Sequence, residues 1–149
     1  MKPLVARVKL DQPVAVTQQR VRAFDHWENL AKSKGFEVVR HPHTPPLELG
    51  QSWDLTGIAG RLQIALRLVL RPTSAGRDIG LTTDAFGIAA TLDLAVTGLG
   101  GQSDVTVEIA LKPTTLQARA LLAPIKLKRT EFERKLAKLV ARHLTVSAL

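Results

Sequence analysis

The chain has 149 residues, enough for one domain with its own core and too few for two comfortable ones. Its 45% apolar and 23% charged residues exclude a disordered chain, and no apolar run approaches the roughly 20 residues that span a bilayer. The absence of cysteine removes disulfides, iron–sulfur clusters, thiolate zinc sites and a cysteine nucleophile together.

The first seven residues, Met1 to Arg7, hold no long apolar core, so no secretory signal is expected and the chain reads as cytoplasmic. The formal charge is +8, and it is unevenly spread. From Thr114 onward eight basic residues face only Glu131 and Glu133, a local balance of +6. Such a tail suits phosphates, an acidic partner or an anionic membrane surface, or is simply a solvated helix face.

Leu4, Ala6, Val8 and Leu10 alternate with Val5, Arg7 and Lys9, which predicts a first strand. Asp11-Gln12-Pro13 marks a turn, and Pro13 suits a helix start because its missing N–H is not needed there. Val14, Val21, Phe24, Trp27 and Leu30 recur at helical spacing, with a break expected near Phe24-Asp25-His26 and a stop at Gly35. From Phe36 the period changes to two. Phe36–Arg40 and the short run Trp53–Thr56 read as strands, separated by Pro42, Pro45 and Pro46, with a turn over Gly57–Gly60.

Leu62, Ile64, Leu66, Leu68 and Leu70 then oppose Arg61, Gln63, Ala65, Arg67, Val69 and Arg71, a strand apolar on one side and mostly polar on the other. A turn at 72–76 leads to Ile79, Leu81, Thr83 and Ala85, ended by Phe86-Gly87. Two further strands carry Ala90, Leu92, Leu94 and Val96, then Val105, Val107, Ile109 and Leu111, joined by the glycines at 98–101. Short turns between one-sided strands predict a meander. After Pro113 one long helix is expected to Leu144, kinked or divided at Pro124.

The order is therefore β-αα-β6-α, an α+β chain whose half-polar sheet has only the last helix as adequate cover. Leu116-Gln117-Ala118-Arg119-Ala120-Leu121-Leu122-Ala123-Pro124, running into a basic helix, and Gly50-Gln51-Ser52-Trp53-Asp54-Leu55, opening a strand, give the chain its resemblance to a family. It resembles the START-like, birch-pollen-allergen-like superfamily of polyketide cyclases and lipid carriers (SRPBCC) over nearly its whole length. The resemblance implies a helix-grip fold, a curved seven-stranded antiparallel sheet around a long C-terminal helix, and one ligand-binding domain over 1–149.

It also implies a cavity between sheet and helix. Trp53, Leu55, Ile64, Leu66, Leu81 and Phe86 would line the sheet side, with Leu92, Leu94, Val107 and Ile109 beside them. Leu121, Leu122 and Ile125 would face them from the helix. The same residue types would serve a filled core equally well. Candidate polar anchors are few. Asp84 could work as an acid or base if shielded from water, but strict alternation turns it outward unless a bulge precedes Phe86. Arg119 could hold a carboxylate or phosphate through its planar fork, or stand solvated. Thr83, His26 and Asp54 lie near strand or helix ends.

His41-Pro42-His43 is an incomplete ligand set in a proline-rich loop, so no metal is expected. The glycines at 98–101 precede a strand and not a helix, so they are no nucleotide fingerprint, and no cofactor is expected. Three functions remain open. The first is a carrier or sequestering protein for an apolar small molecule or lipid. The second is a polyketide cyclase or dehydratase-like enzyme, with its catalytic residues unassigned. The third is a basic module for RNA, the ribosome or an acidic protein. With six aromatics and no tyrosine, base stacking has little material, so nucleic acid is not the expected partner.

Overall fold

The computed structural model describes residues 1–41, 51–71 and 78–146. The alternating segments become β1 (Leu4–Leu10), β2 (Glu37–His41), β3 (Ser52–Ala59) and β4 (Leu62–Leu70), then β5 (Ile79–Ala85), β6 (Ile88–Thr97) and β7 (Ser103–Pro113). They form one curved antiparallel sheet in the order β1-β7-β6-β5-β4-β3-β2. The two edges are thus the strands that flank the helices α1 (Val14–Val21) and α2 (Phe24–Ser33), which carry the chain from one edge to the other. The helix break expected near Phe24 falls at Arg22-Ala23. The proline-rich loop with His43, Pro45 and Pro46, Gly50, and the turn at 72–76 lie outside the described residues.

The terminal helix is in two pieces, α3 (Leu116–Leu127) and α4 (Arg129–Leu144). Thr115 caps α3 by accepting the Ala118 N–H at 3.0 Å. Pro124 sits inside α3 without ending it; the interruption comes at Lys128, whose N–H returns to the Pro124 carbonyl at 3.0 Å. Proline removes one bond, to the carbonyl of Ala120, and Ala120 lies on the exposed side where water can serve it. The 16-residue α4 is the long helix of the grip.

α4 lies along β1. Glu133 Oε2 accepts the Val5 N–H at 2.7 Å, and Arg129 donates to the Pro3 carbonyl at 2.8 Å. These bonds satisfy backbone groups that an edge strand would otherwise leave open. The core gathers where α4 meets the β5–β7 side of the sheet: Ile79, Val96, Val105 and Val107 pack with Val140 and Leu144. Each such side chain, fully buried, contributes about 1.5–3 kcal/mol.

One turn reading changes. Gly57 belongs to β3, where it pairs with Ile64, and glycine is needed there because a Cβ would lie 2.7 Å from the Phe36 ring; the turn is confined to Gly60-Arg61. β5 ends ahead of Phe86-Gly87, as expected. Ala85 pairs with Ile88, so Phe86 and Gly87 form a two-residue hairpin turn with φ of 57° and 71°. No bulge reorients the strand before it: Asp84 faces Ala89 in unbroken register.

Candidate functional site

Three surfaces meet around a cavity of about 260 Å³. The sheet contributes Trp53 and Leu55 from β3, Leu68 from β4, and Leu81, Leu92 and Leu94 from β5 and β6. Ile79 and Val107 close its inner end beside the core. Period two puts these side chains on one face, and the register brings them together: Trp53 stands opposite Leu68, Leu81 opposite Leu92, Leu94 opposite Val107.

The second surface is α2. Phe24, Trp27, Glu28 and Ala31 fall at i, i+3, i+4 and i+7, one face of a helix, with Val21 and Val38 beside them. Phe24 stacks on Trp53 with ring centroids 4.9 Å apart. The third is the middle of α4, through Leu136, Leu139 and Val140.

Glu28 is the one ionisable side chain on the described walls. Its Oε1 accepts from Trp53 Nε1 at 2.8 Å and from Arg40 Nε at 2.5 Å. Arg40 also donates to Asp25 at 2.8 Å, and these carboxylates, Glu28 foremost, raise its pKa further above the ordinary arginine value. The negative charge on the wall is therefore met by a guanidinium within the protein. Trp27 donates its ring N–H to the Val21 carbonyl at 3.1 Å, which fixes the indole against the cavity.

Of the residues expected to line the cavity, Trp53, Leu55, Leu81, Leu92, Leu94 and Val107 are brought together there. Ile64 and Leu66 continue the same face of β4 towards the β3–β4 hairpin, away from it. Ile109 is packed against the core, and Phe86 is carried off by its turn, 43% exposed. The helix-side expectation changes most. α3 packs on β7 and the β5–β6 turn instead of across the cavity, so Leu121 is 54% exposed and Ile125 lies off the walls. Leu122 is buried under a separate hollow.

Asp84 is exposed on β5, and Arg119 is exposed at the hollow over Leu122. Asp54 lies on the opposite face of β3 from Trp53 and is paired with Arg67, which holds its carboxyl below the ordinary aspartate value. His41 meets the same carboxylate at 3.0 Å. Thr83 Oγ1 and His26 Nε2 are buried without a hydrogen-bond partner among the described residues. Among the described residues no three His, Asp or Glu side chains gather as a metal site, and no helix is long and apolar enough to cross a membrane.

A curved seven-stranded sheet gripping a long C-terminal helix, with an apolar hollow between them, is the helix-grip fold of START-like and birch-pollen-allergen-like proteins. TTHA0849 from Thermus thermophilus superposes with a TM-score of 0.65 over 95% of this chain and 96% of its own, at 11% identity. Ara h 8.0201 gives 0.63 over 95% and 93% at 10% identity, and norcoclaurine synthase from Thalictrum flavum 0.56 over 91% and 86% at 9%. No protein-family model and no curated protein sequence matches the chain.

Proposed function

We propose that residues 1–149 act as one binding domain that holds a compact apolar small molecule between the sheet, α2 and α4, as a carrier or sequestering protein. The observation that carries this reading is a cavity of about 260 Å³ whose described walls are apolar except for Glu28. An apolar wall with one polar group that fixes orientation is the usual make-up of a small-molecule site. The volume lies just under the common range of about 300–1,000 Å³, which favours a ring system or one modest acyl chain over a two-chain lipid.

The cyclase-like alternative needs groups on the wall that can move protons. Asp84 and Arg119 stand away from the cavity, and Glu28 Oε1 already takes two donors. Norcoclaurine synthase, which shares the fold, has been solved with dopamine and hydroxybenzaldehyde. That makes small aromatic compounds a sensible first panel of guests here.

The test is titration with an environment-sensitive apolar fluorophore, alongside native mass spectrometry of the purified protein. Saturable one-to-one binding is expected, lost in Leu92→Trp, which fills the cavity from the sheet, and weakened in Ala31→Leu, which narrows it from α2. Binding that neither folded variant alters would overturn the reading.

A further inference from the structure

α3 is apolar on two opposite faces. Ala118 and Leu122 are buried against the sheet, as expected of a packed helix. Leu116, Ala120, Ala123 and Leu127 recur at i, i+4, i+7 and i+11, so they share the other face. All four are exposed, Leu116 by 81% and Leu127 by 86%. A helix apolar on both sides normally has something covering each.

The charges around this stripe have one sign. α3 contains no acidic residue; Arg119 and Lys126 lie along one flank, where they share a hollow with Lys112, and Lys128 follows the last turn. All four cations are exposed, and none has a resolved carboxylate partner among the described ion pairs.

We propose that the outer face of α3 docks on an anionic lipid surface, with Leu116 and Leu127 entering the headgroup boundary and Lys112, Arg119 and Lys126 meeting the phosphates. Exposed leucines flanked by lysine and arginine form the pattern of a helix that lies in a membrane interface. Two other occupants fit less well. A second copy of the chain would bring its own cations against these, since the face carries no acid to pair them. A nucleic acid would use the cations and leave the leucines in water. The docking stands independently of what fills the cavity, because no residue of this face lines it.

The experiment is flotation with vesicles of phosphatidylcholine alone and of phosphatidylcholine with one-third phosphatidylglycerol, at low and high salt. The wild-type chain is expected to float with the mixed vesicles at low salt and to be released by high salt. Arg119→Gln with Lys126→Gln should weaken binding about 25-fold, from about fivefold per cation. Leu116→Ser with Leu127→Ser should weaken it about tenfold or more. All these side chains are exposed, and unchanged thermal melts will confirm that the variants fold.

Absence of binding to the mixed vesicles overturns the proposal, and so does binding that the leucine variant leaves intact. It is equally overturned if the leucines instead hold a dimer in analytical ultracentrifugation. An RNA oligonucleotide that displaces the vesicles while binding the leucine variant as well as wild type also overturns it.

Discussion

Glu28 Oε1 accepts the ring N–H of Trp53 at 2.8 Å, joining α2 to β3 across the rim of the cavity. Arg40 of β2 donates to the same oxygen, so three elements meet at one atom. Removing that atom leaves the indole N–H and the Arg40 Nε–H without their acceptor, while Arg40 keeps its bond to Asp25. Glu28→Ala should cost about 2 kcal/mol in urea unfolding, and Glu28→Gln about half of that because an amide oxygen can still accept. Trp53→Phe keeps the stacking on Phe24 and loses only the N–H. In a double-mutant cycle with Glu28→Ala it should show a coupling of about 1 kcal/mol. Additive effects would mean that the two side chains are not bonded in solution.

Both tryptophans of the chain, Trp27 and Trp53, stand on the cavity wall, and there is no tyrosine. Near-ultraviolet emission therefore reports on the cavity. An apolar nitroaromatic quencher is expected to extinguish most of the emission at micromolar concentrations. Iodide, which stays in water, should leave Trp53 nearly untouched because it is 5% exposed. Equal quenching by both agents would show that the hollow is open to bulk water.

The sheet was readable because its strands are one-sided. From Leu62 to Leu70 every second position is Leu or Ile, while Gln63 and Arg67 mark the other face, and that leaves one choice of inner face. Phe86 was placed correctly at the end of β5 but wrongly on the cavity wall: its positive φ puts it in a turn that glycine or asparagine usually occupies, and the turn carries the ring off the inner face. Glu28 was invisible because a charged residue beside Phe24 and Trp27 reads as the wet side of a helix. Its burial depends on Arg40 and Trp53, which are distant in sequence. The α2 wall was missed: Phe24 and Trp27 stood out as an apolar helix stripe with Leu30, but the cavity was expected between the sheet and the last helix alone, and helical spacing does not say what a stripe packs against. The helix-side residues were misplaced because α3 is apolar on two opposite faces, so its pattern does not say which leucines point inward.

His26 should make stability fall on acidification. Burial, then the charges of Arg20 and His143, hold its pKa below the ordinary value of 6.5. Its ring lies 5.1 Å from that of Trp27 and 6.0 Å from that of His143, and Nε2 is buried without a hydrogen-bond partner among the described residues. The unfolded chain thus takes up a proton before the folded one does. The contribution is fully present above about pH 6.5 and is lost as pH drops through the lowered folded value. Urea midpoints measured from pH 8 down to about 5 should decline less in His26→Gln than in wild type. Parallel declines would assign the effect to other groups.

A buried polar cluster joins the first turn to the far end of the chain. Gln12 Nε2 donates to Thr17 Oγ1 at 2.9 Å and to the Leu144 carbonyl at 2.8 Å, and its Oε1 accepts the Val146 N–H at 3.0 Å. Thr17 shares a 2.7 Å bond with Ser103, which donates in turn to the Gln12 carbonyl at 2.6 Å. All three side chains are at most 8% exposed, so the partners of any one that is removed have little water to turn to. Thr17→Val keeps the shape and deletes the hydroxyl, and should cost about 1–3 kcal/mol. Gln12→Ala deletes the bonds that hold the C-terminal end of α4, so it should also speed amide exchange at Leu144 to Val146 selectively. If exchange there is unchanged while global stability falls, the cluster fastens β1 to β7 only and does not anchor the helix.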